Sequence, residues 1–214
     1  MTTVNKVEQI ENYLEELYPN PKCELEYSKD YELLLATMLS AQTTDKRVNQ
    51  VTRVLFRKYP SLEALKDAPR EDIEEIIKPI GTYQRKSLYV KEIATIIVEQ
   101  YGGKTPSDRK ILESLPGVGH KTVNVFLSNI YDVPAIAVDT HVERVSKRLG
   151  LAKKDDSVLA VEKKLEKHFD ASVWGRRHHQ LVLFGRYHCK SMKPECDSCK
   201  LQKICKYYKT VNNF

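Results

Sequence analysis

The 214-residue chain has no apolar run approaching the ~18–20 residues of a membrane-spanning helix. With 30% charged residues it is too polar for a membrane protein. It has no basic start followed by an apolar stretch. The opening MTTVNKVEQIENYLEELYP is amphipathic and carries four glutamates, so no secretory signal is expected. There is no low-complexity linker and no convincing repeat. Strand patterning is nearly missing: only Ala135-Ile136-Ala137-Val138 reads that way, too short and isolated to build a sheet. Cysteine is scarce and badly placed for a disulfide scaffold. Cys23 stands alone, whereas Cys189, Cys196, Cys199 and Cys205 crowd into the last 26 residues. That distribution points to a reducing compartment, hence a cytoplasmic protein, and to a metal site.

What is present is a helical chain. At 41% hydrophobic it can bury a real core, as one large domain or two small ones tightly joined. Val4, Val7, Ile10, Leu14, Leu17 and Tyr18 recur at threes and fours, predicting an amphipathic helix over 4–18. Residues 31–39 are apolar almost all round, which predicts a buried central helix. Residues 88–101 predict another, stopped by Gly102-Gly103. Val158, Val161, Leu165 and Phe169 mark a further stripe. Turn signals at Pro60, Pro69, Pro79-Ile80-Gly81, Pro116-Gly117, Pro134 and Gly150 divide the rest into helices of ordinary length. The expected class is all-α. Net charge is +6, unevenly spread: residues 1–139 hold 18 Lys and Arg against 21 Asp and Glu, and residues 140–214 hold 17 against 8. A basic half beside an acidic one suits a surface facing a polyanion.

The four clustered cysteines follow the pattern Cys189-x6-Cys196-x2-Cys199-x5-Cys205. Structural zinc usually shows two close pairs separated by a longer stretch. One compact four-thiolate loop better suits an iron–sulfur cubane, in which each iron takes one thiolate. Spacing alone also admits zinc, with the adjacent His188 as a mixed ligand. Cys23 reads as a small buried hydrophobe. Lys190 and Lys193 lie within the first gap of the loop. A metal that fixed the loop would hold their ammonium groups for phosphate contact; a solvated lysine-rich tail is the plainer alternative.

Residues 108–130 read as a helix, a break at Pro116-Gly117-Val118-Gly119, and a second helix from about His120. Two glycines two apart let the backbone turn tightly and leave amides uncovered at a helix start, an anion site that a DNA phosphate would fit. Lys121 falls in the first turn of the second helix. The helix dipole disfavours its protonated form there, and partial burial would act in the same direction. Such an amine is a nucleophile suited to Schiff-base formation; a plain surface lysine is the alternative. Asp139 follows 18 residues later. Thr140-x-x-Glu143 has the form of a capping box, so Asp139 reads either as a helix-start carboxylate or as a group that orients or deprotonates the lysine.

Together these features resemble the endonuclease III family, DNA glycosylases of the helix–hairpin–helix superfamily. The likeness is carried by Leu115-Pro116-Gly117-Val118-Gly119-His120-Lys121, by Val138-Asp139-Thr140-His141-Val142, and by Leu183-Phe184-Gly185-Arg186-Tyr187-His188-Cys189 leading into the 6-2-5 cysteine spacing, the family's 4Fe-4S signature. Leu39-Ser40-Ala41-Gln42-Thr43-Thr44-Asp45 matches a segment that reaches into DNA. The resemblance runs from about residue 25 to 206 in motif order. It implies a six-helix barrel over 23–133, with the helix–hairpin–helix near 108–130. A discontinuous cluster domain would comprise 1–22 and 134–214, with a lesion-binding cleft between the two domains. It also implies a monomeric enzyme, nucleoid-associated if prokaryotic, acting on double-stranded DNA with damaged pyrimidines or abasic sites, without membrane contact. Cys189, Cys196, Cys199 and Cys205 would ligate a 4Fe-4S cluster.

The same resemblance assigns chemistry. Lys121 would attack the anomeric carbon and expel the base, Asp139 would assist and stabilise the sugar's positive charge, and β-elimination would nick the strand. The damaged nucleotide must first leave the stack, and Gln42 would fill the space. Gly117, Gly119, His120, Lys190 and Lys193 would meet phosphate. Two positions depart from the family pattern. Thr82, in Ile80-Gly81-Thr82-Tyr83, stands where a bulky apolar residue is usual and is a poorer wedge. His120 replaces the common arginine and would hold phosphate more weakly and with pH dependence. The rival readings are a monofunctional glycosylase for mismatched or deaminated bases, which Lys121 opposes, and a non-catalytic helix–hairpin–helix DNA-binding protein, which leaves Lys121 and Asp139 unused. An iron–sulfur redox or sensor protein would leave the hairpin unused.

Overall fold

The computed structural model describes residues 5–212 and, among them, contains helices and no strand. The α-helices are α1 (Lys6–Leu17), α2 (Asp30–Leu39), α3 (Asp45–Lys58), α4 (Leu62–Asp67), α5 (Arg70–Ile77), α6 (Tyr83–Tyr101), α7 (Arg109–Ser114), α8 (His120–Ile130), α9 (Thr140–Leu149), α10 (Val158–His168), α11 (Trp174–Leu183) and α12 (Lys206–Val211). A π turn, Phe184–His188, extends α11. Side-chain caps begin many of them: Asn5, Thr44, Ser61, Asp108, Asp139 and Ser157 each accept a backbone N–H of the first turn. Such caps satisfy amides that the helix itself cannot.

The chain folds into two compact units, Cys23–Tyr131 and Met1–Lys22 with Asp132–Phe214. In the first, every residue from Tyr31 to Leu39 is buried, as the all-round apolar pattern requires. Around α2 pack α3 and α8, while α6 packs on α4 and α5. Each fully buried Leu or Ile there contributes roughly 1.5–3 kcal/mol of transfer free energy. The second unit has its own core, in which Ile10 and Leu14 of α1 join Ile136, Val142, Val145, Leu165 and Phe184. A polar clasp ties α1 to α11. Arg177, whose side chain is 7% exposed, donates to Glu11 Oε1 at 3.1 Å and to Glu15, while Gln180 Nε2 donates to the Tyr18 carbonyl at 3.0 Å. Sequence-distant helices therefore share one core.

Several expectations shift in detail. α6 begins at Tyr83 rather than near residue 88, directly after Thr82 turns the chain with left-handed backbone, φ +55°. Gly102 closes it in the same region, as the glycine pair predicts. Val158 occupies the first position of α10 and is 47% exposed, so the buried stripe is Val161, Leu165 and Phe169. Ala135–Val138 is buried backbone with no strand pairing. Val4 lies outside the described residues.

Candidate active site and metal centre

The hairpin joins α7 to α8 through Leu115–Gly119. Leu115 and Val118 are buried and anchor it to the core of its unit. Its two glycines differ. Gly117 has φ +72°, and a Cβ on it would lie 2.3 Å from Cδ2 of Tyr89, so the position admits only glycine. Gly119 has an ordinary φ of −102° with open space where a Cβ would point. The tight turn therefore depends on Gly117. Gly119 is instead the N-cap of α8 and offers no side chain to its first-turn amides. Those N–H groups lie at the positive end of the helix dipole.

His120 opens α8 and is tied into the hairpin. Its Nδ1 lies 3.2 Å from Glu113 Oε1 of α7, and its Nε2 lies 3.3 Å from Asn124 Nδ2. Arg109 donates to Asn124 Oδ1 at 2.8 Å, which adds a second link between the two helices. Lys121, one residue on, is exposed. The partial burial anticipated for it is thus corrected: α8 turns this side chain outward while Thr122–Leu127 face the core.

Asp139 caps α9. Its Oδ1 accepts the backbone N–H groups of His141 at 2.9 Å and Val142 at 2.8 Å, while among the described residues Oδ2 accepts no hydrogen bond. The capping box is corrected accordingly: Asp139, not Thr140, is the cap, and Glu143 pairs with Lys147 at 2.6 Å. The carboxylate is held rigidly by one oxygen and presents the other. Burial lowers the pKa of the neighbouring His141, although Asp139 opposes that shift.

Gln42 and Thr82 both lie on exposed loops of the first unit. Both hold left-handed backbone, Gln42 at φ +58° and Thr82 at φ +55°. That conformation costs an L-residue roughly 1–3 kcal/mol, and a β-branched threonine seldom adopts it. The Thr82 hydroxyl donates to its own neighbour, the Gly81 carbonyl, at 2.7 Å.

In the second unit the four cysteines line one pocket with Leu149, Phe184 and His188, about 340 Å³ including open solvent. Their loop is fastened from α9. Arg144 Nη2 donates to the Gly185 carbonyl at 2.6 Å, and Arg148 donates to the carbonyls of Lys190 at 2.6 Å and Ser191 at 2.9 Å. Arg148 also reaches Cys189 Sγ at 3.5 Å and lies over the Tyr207 ring at 4.3 Å. Burial pushes the Cys199 thiol up to about 11 and raises Cys196 as well. Thiolates there need a compensating cation, which a metal centre supplies.

His188 stacks on Phe184 at 4.9 Å. Its buried Nε2 has no hydrogen-bond partner among the described residues, which leaves a donor or acceptor beside the pocket. Four thiols and an unpaired imidazole nitrogen fit an inorganic cluster. Among the described residues no three His, Cys, Asp or Glu side chains converge on one point. Lys190 is paired with Glu195 at 2.6 Å, while Lys193 is exposed with φ +50°.

Lys121, Gly117, Gly119, His120, Gln42 and Thr82 thus share one unit, and Asp139, Lys190, Lys193 and the cysteines share the other. Sequence reading overlooked Lys86, Arg144 and Arg148. The two arginines carried a faint signal, an i,i+4 pair on the helix that follows Asp139; buried Lys86 carried none. No described helix is long and apolar enough to cross a membrane.

Residues 35–171 match the HhH-GPD superfamily of base excision DNA repair proteins. The chain is 46% identical over 206 residues to endonuclease III of Bacillus subtilis, covering 96% of this chain and 94% of that one. It is 40% identical over 211 residues to endonuclease III of Escherichia coli K12, covering 98% and 100%. It superposes with a TM-score of 0.93 on a trapped endonuclease III–DNA covalent intermediate, at 44% identity, covering 99% of this chain and all of that one. On a non-covalent endonuclease III–DNA complex the score is 0.94, at 43% identity over the whole of both chains. A thermostable thymine-DNA glycosylase shares the fold at 24% identity and a TM-score of 0.84. With the glycine hairpin, the lysine that follows it, the capping aspartate and the cysteine pocket in place, the chain belongs to the endonuclease III family of the HhH-GPD superfamily of base excision DNA repair proteins.

Proposed function

We propose that the chain is a bifunctional DNA glycosylase and abasic-site lyase that removes oxidised pyrimidines from double-stranded DNA, acting as a monomer in the cytoplasm at the nucleoid. The observation that carries this is Lys121, exposed in the first turn of α8 directly after an uncapped helix start. Phosphate held on the first-turn amides would bring the strand to the amine. Neutral Lys121 Nζ attacks C1′ of the damaged nucleoside, the C1′–N bond breaks, and the base leaves with a proton. Asp139, with Oδ2 unengaged, stabilises the positive charge developing on the sugar. The C1′–O4′ bond then breaks as O4′ takes a proton from solvent, leaving an iminium between Lys121 and C1′. Loss of a C2′ proton follows, and the C3′–O bond breaks with the phosphate as leaving group to nick the strand. Gln42 and Thr82 meet the opened duplex, and Gly117, Gly119, His120, Lys190 and Lys193 are each assigned to phosphate contact.

Residues 23–133 are read as the six-helix barrel, and 1–22 with 134–214 as the cluster domain. Cys189, Cys196, Cys199 and Cys205 would hold a 4Fe-4S cluster. Four sulfurs lining one pocket, in the compact 6-2-5 spacing, suit several irons, each with one thiolate, better than the paired spacing usual for zinc. When bound, the cluster supplies a fixed frame for the loop that carries Lys190 and Lys193.

Borohydride trapping tests the chemistry. Wild type gives a covalent adduct with DNA bearing an oxidised pyrimidine or abasic site, and Lys121→Ala gives none. Binding without trapping by wild type favours a non-catalytic DNA-binding protein; trapping by Lys121→Ala overturns the nucleophile. Iron and sulfide analysis of the purified protein tests the cluster, and stoichiometric zinc without iron overturns it.

A further inference from the structure

The strained loops at Gln42 and Thr82 share a buried cation. Lys86 lies in the first turn of α6 and is 4% exposed. Its backbone N–H donates to the Thr82 carbonyl at 3.0 Å. Its Nζ donates to the carbonyls of Leu39 at 2.9 Å and Ala41 at 2.7 Å, at the end of α2 and immediately before Gln42. No carboxylate accompanies it: among the described residues Lys86 forms no salt bridge. The ammonium rests on carbonyl dipoles at the negative end of α2, and burial lowers its pKa.

A buried charge held only by carbonyls is a costly way to fill a core position that methionine or leucine would fill. What the ammonium achieves that they cannot is to grip two backbone carbonyls across 45 residues and more of sequence. The gripped segment is the one in which Gln42 takes left-handed backbone, and the gripping residue is one helical turn from Thr82, which does the same.

We infer that Lys86 is a positioning residue: it locks the Gln42 loop to the Thr82 loop so that both hold the conformation in which they enter and open the duplex. This rests on the assignment of Gln42 and Thr82 above as the residues that meet opened DNA. The lysine touches neither substrate nor reacting atoms, so its removal affects the opening of paired DNA and leaves the lysine chemistry at an already vacated site.

The test compares wild type with Lys86→Met on two substrates: base release from an oxidised pyrimidine in a fully paired duplex, and borohydride trapping at a preformed abasic site. Thermal unfolding is followed in parallel, and 2-aminopurine fluorescence beside the lesion reports opening. The methionine variant is expected to lose at least about tenfold in base release and to lose the fluorescence rise. Trapping at the abasic site should change less than about threefold. Lys86→Gln keeps a donor without the charge; it carries the same comparison if the methionine variant does not fold, with a smaller selective loss. Parallel loss on both substrates overturns the inference in favour of a purely structural lysine, and so does unchanged base release. A wild type that neither releases base nor traps overturns the glycosylase assignment itself, and the inference with it.

Discussion

The ring of Tyr89 lies over the α-carbon of Gly117 so closely that a Cβ there would sit 2.3 Å from Cδ2. Positive φ and an occupied site act together, so Gly117→Ala has no cheap relaxation. A left-handed alanine costs roughly 1–2 kcal/mol and the overlap a further ~1–3 kcal/mol. Urea unfolding should show a loss of that size. Gly119→Ala, with ordinary φ and open space, should stay within ~0.5 kcal/mol of wild type. Its methyl group would still stand beside the uncapped amides of α8, so DNA affinity should fall while stability holds. Equal stability losses in the two variants would refute this division of labour.

Asp139 serves as both helix cap and proposed catalytic carboxylate, and substitutions separate the two roles. Asparagine caps about as well as aspartate, whereas alanine costs ~1 kcal/mol. Asp139→Asn should therefore unfold like wild type and Asp139→Ala at lower denaturant, yet both should lose base release by a factor of about 100 or more. An asparagine variant with full activity would reduce Asp139 to a cap.

The clasp between α1 and α11 makes the second unit sensitive to acid. The guanidinium groups of Arg176 and Arg177 hold the Glu15 carboxyl down to about 2. Its folded-state value lies below its ordinary 4.5, so its contribution is complete above about 4.5 and disappears as pH falls towards 2. The side chain is 36% exposed, so solvent screening makes the effect modest. Unfolding followed from pH 6 to 2 should show a shallower acid limb in Glu15→Gln. Arg177 is the buried member, and Arg177→Met, which leaves Glu11 unmatched and Glu15 with Arg176 alone, should cost several times more at pH 7.

His179 adds a second window. Burial holds its imidazole down at about 4, below the ordinary 6.5. Between those values the unfolded chain binds a proton that the folded one refuses, so stability falls as pH drops from about 6.5 through 4. NMR titration of the His179 ring should give a midpoint near 4; a midpoint near 6.5 would remove this contribution.

Much of this molecule was legible along the chain because the informative signals are local. Helix periodicity, the all-round apolar Tyr31–Leu39 segment, the Gly102 stop, the hairpin glycines and the spacing of four cysteines each depend on residues within a few turns of one another. Local order gave the all-α class, and motif order gave the family. It did not separate the two hairpin glycines, because φ and the ring of Tyr89 decide that, and Tyr89 lies 28 positions away. It read Asp139 as a helix-start carboxylate but put the capping box on Thr140 and Glu143, because two neighbouring residues could each begin α9 and only the backbone geometry chooses. Left-handed backbone at Gln42 and Thr82, the buried grip of Lys86 and the fastening of the cysteine loop by Arg144 and Arg148 are tertiary facts. The lysine and the two arginines join groups distant in sequence through hydrogen bonds whose partners are main-chain carbonyls, and a carbonyl carries no mark in the amino-acid code.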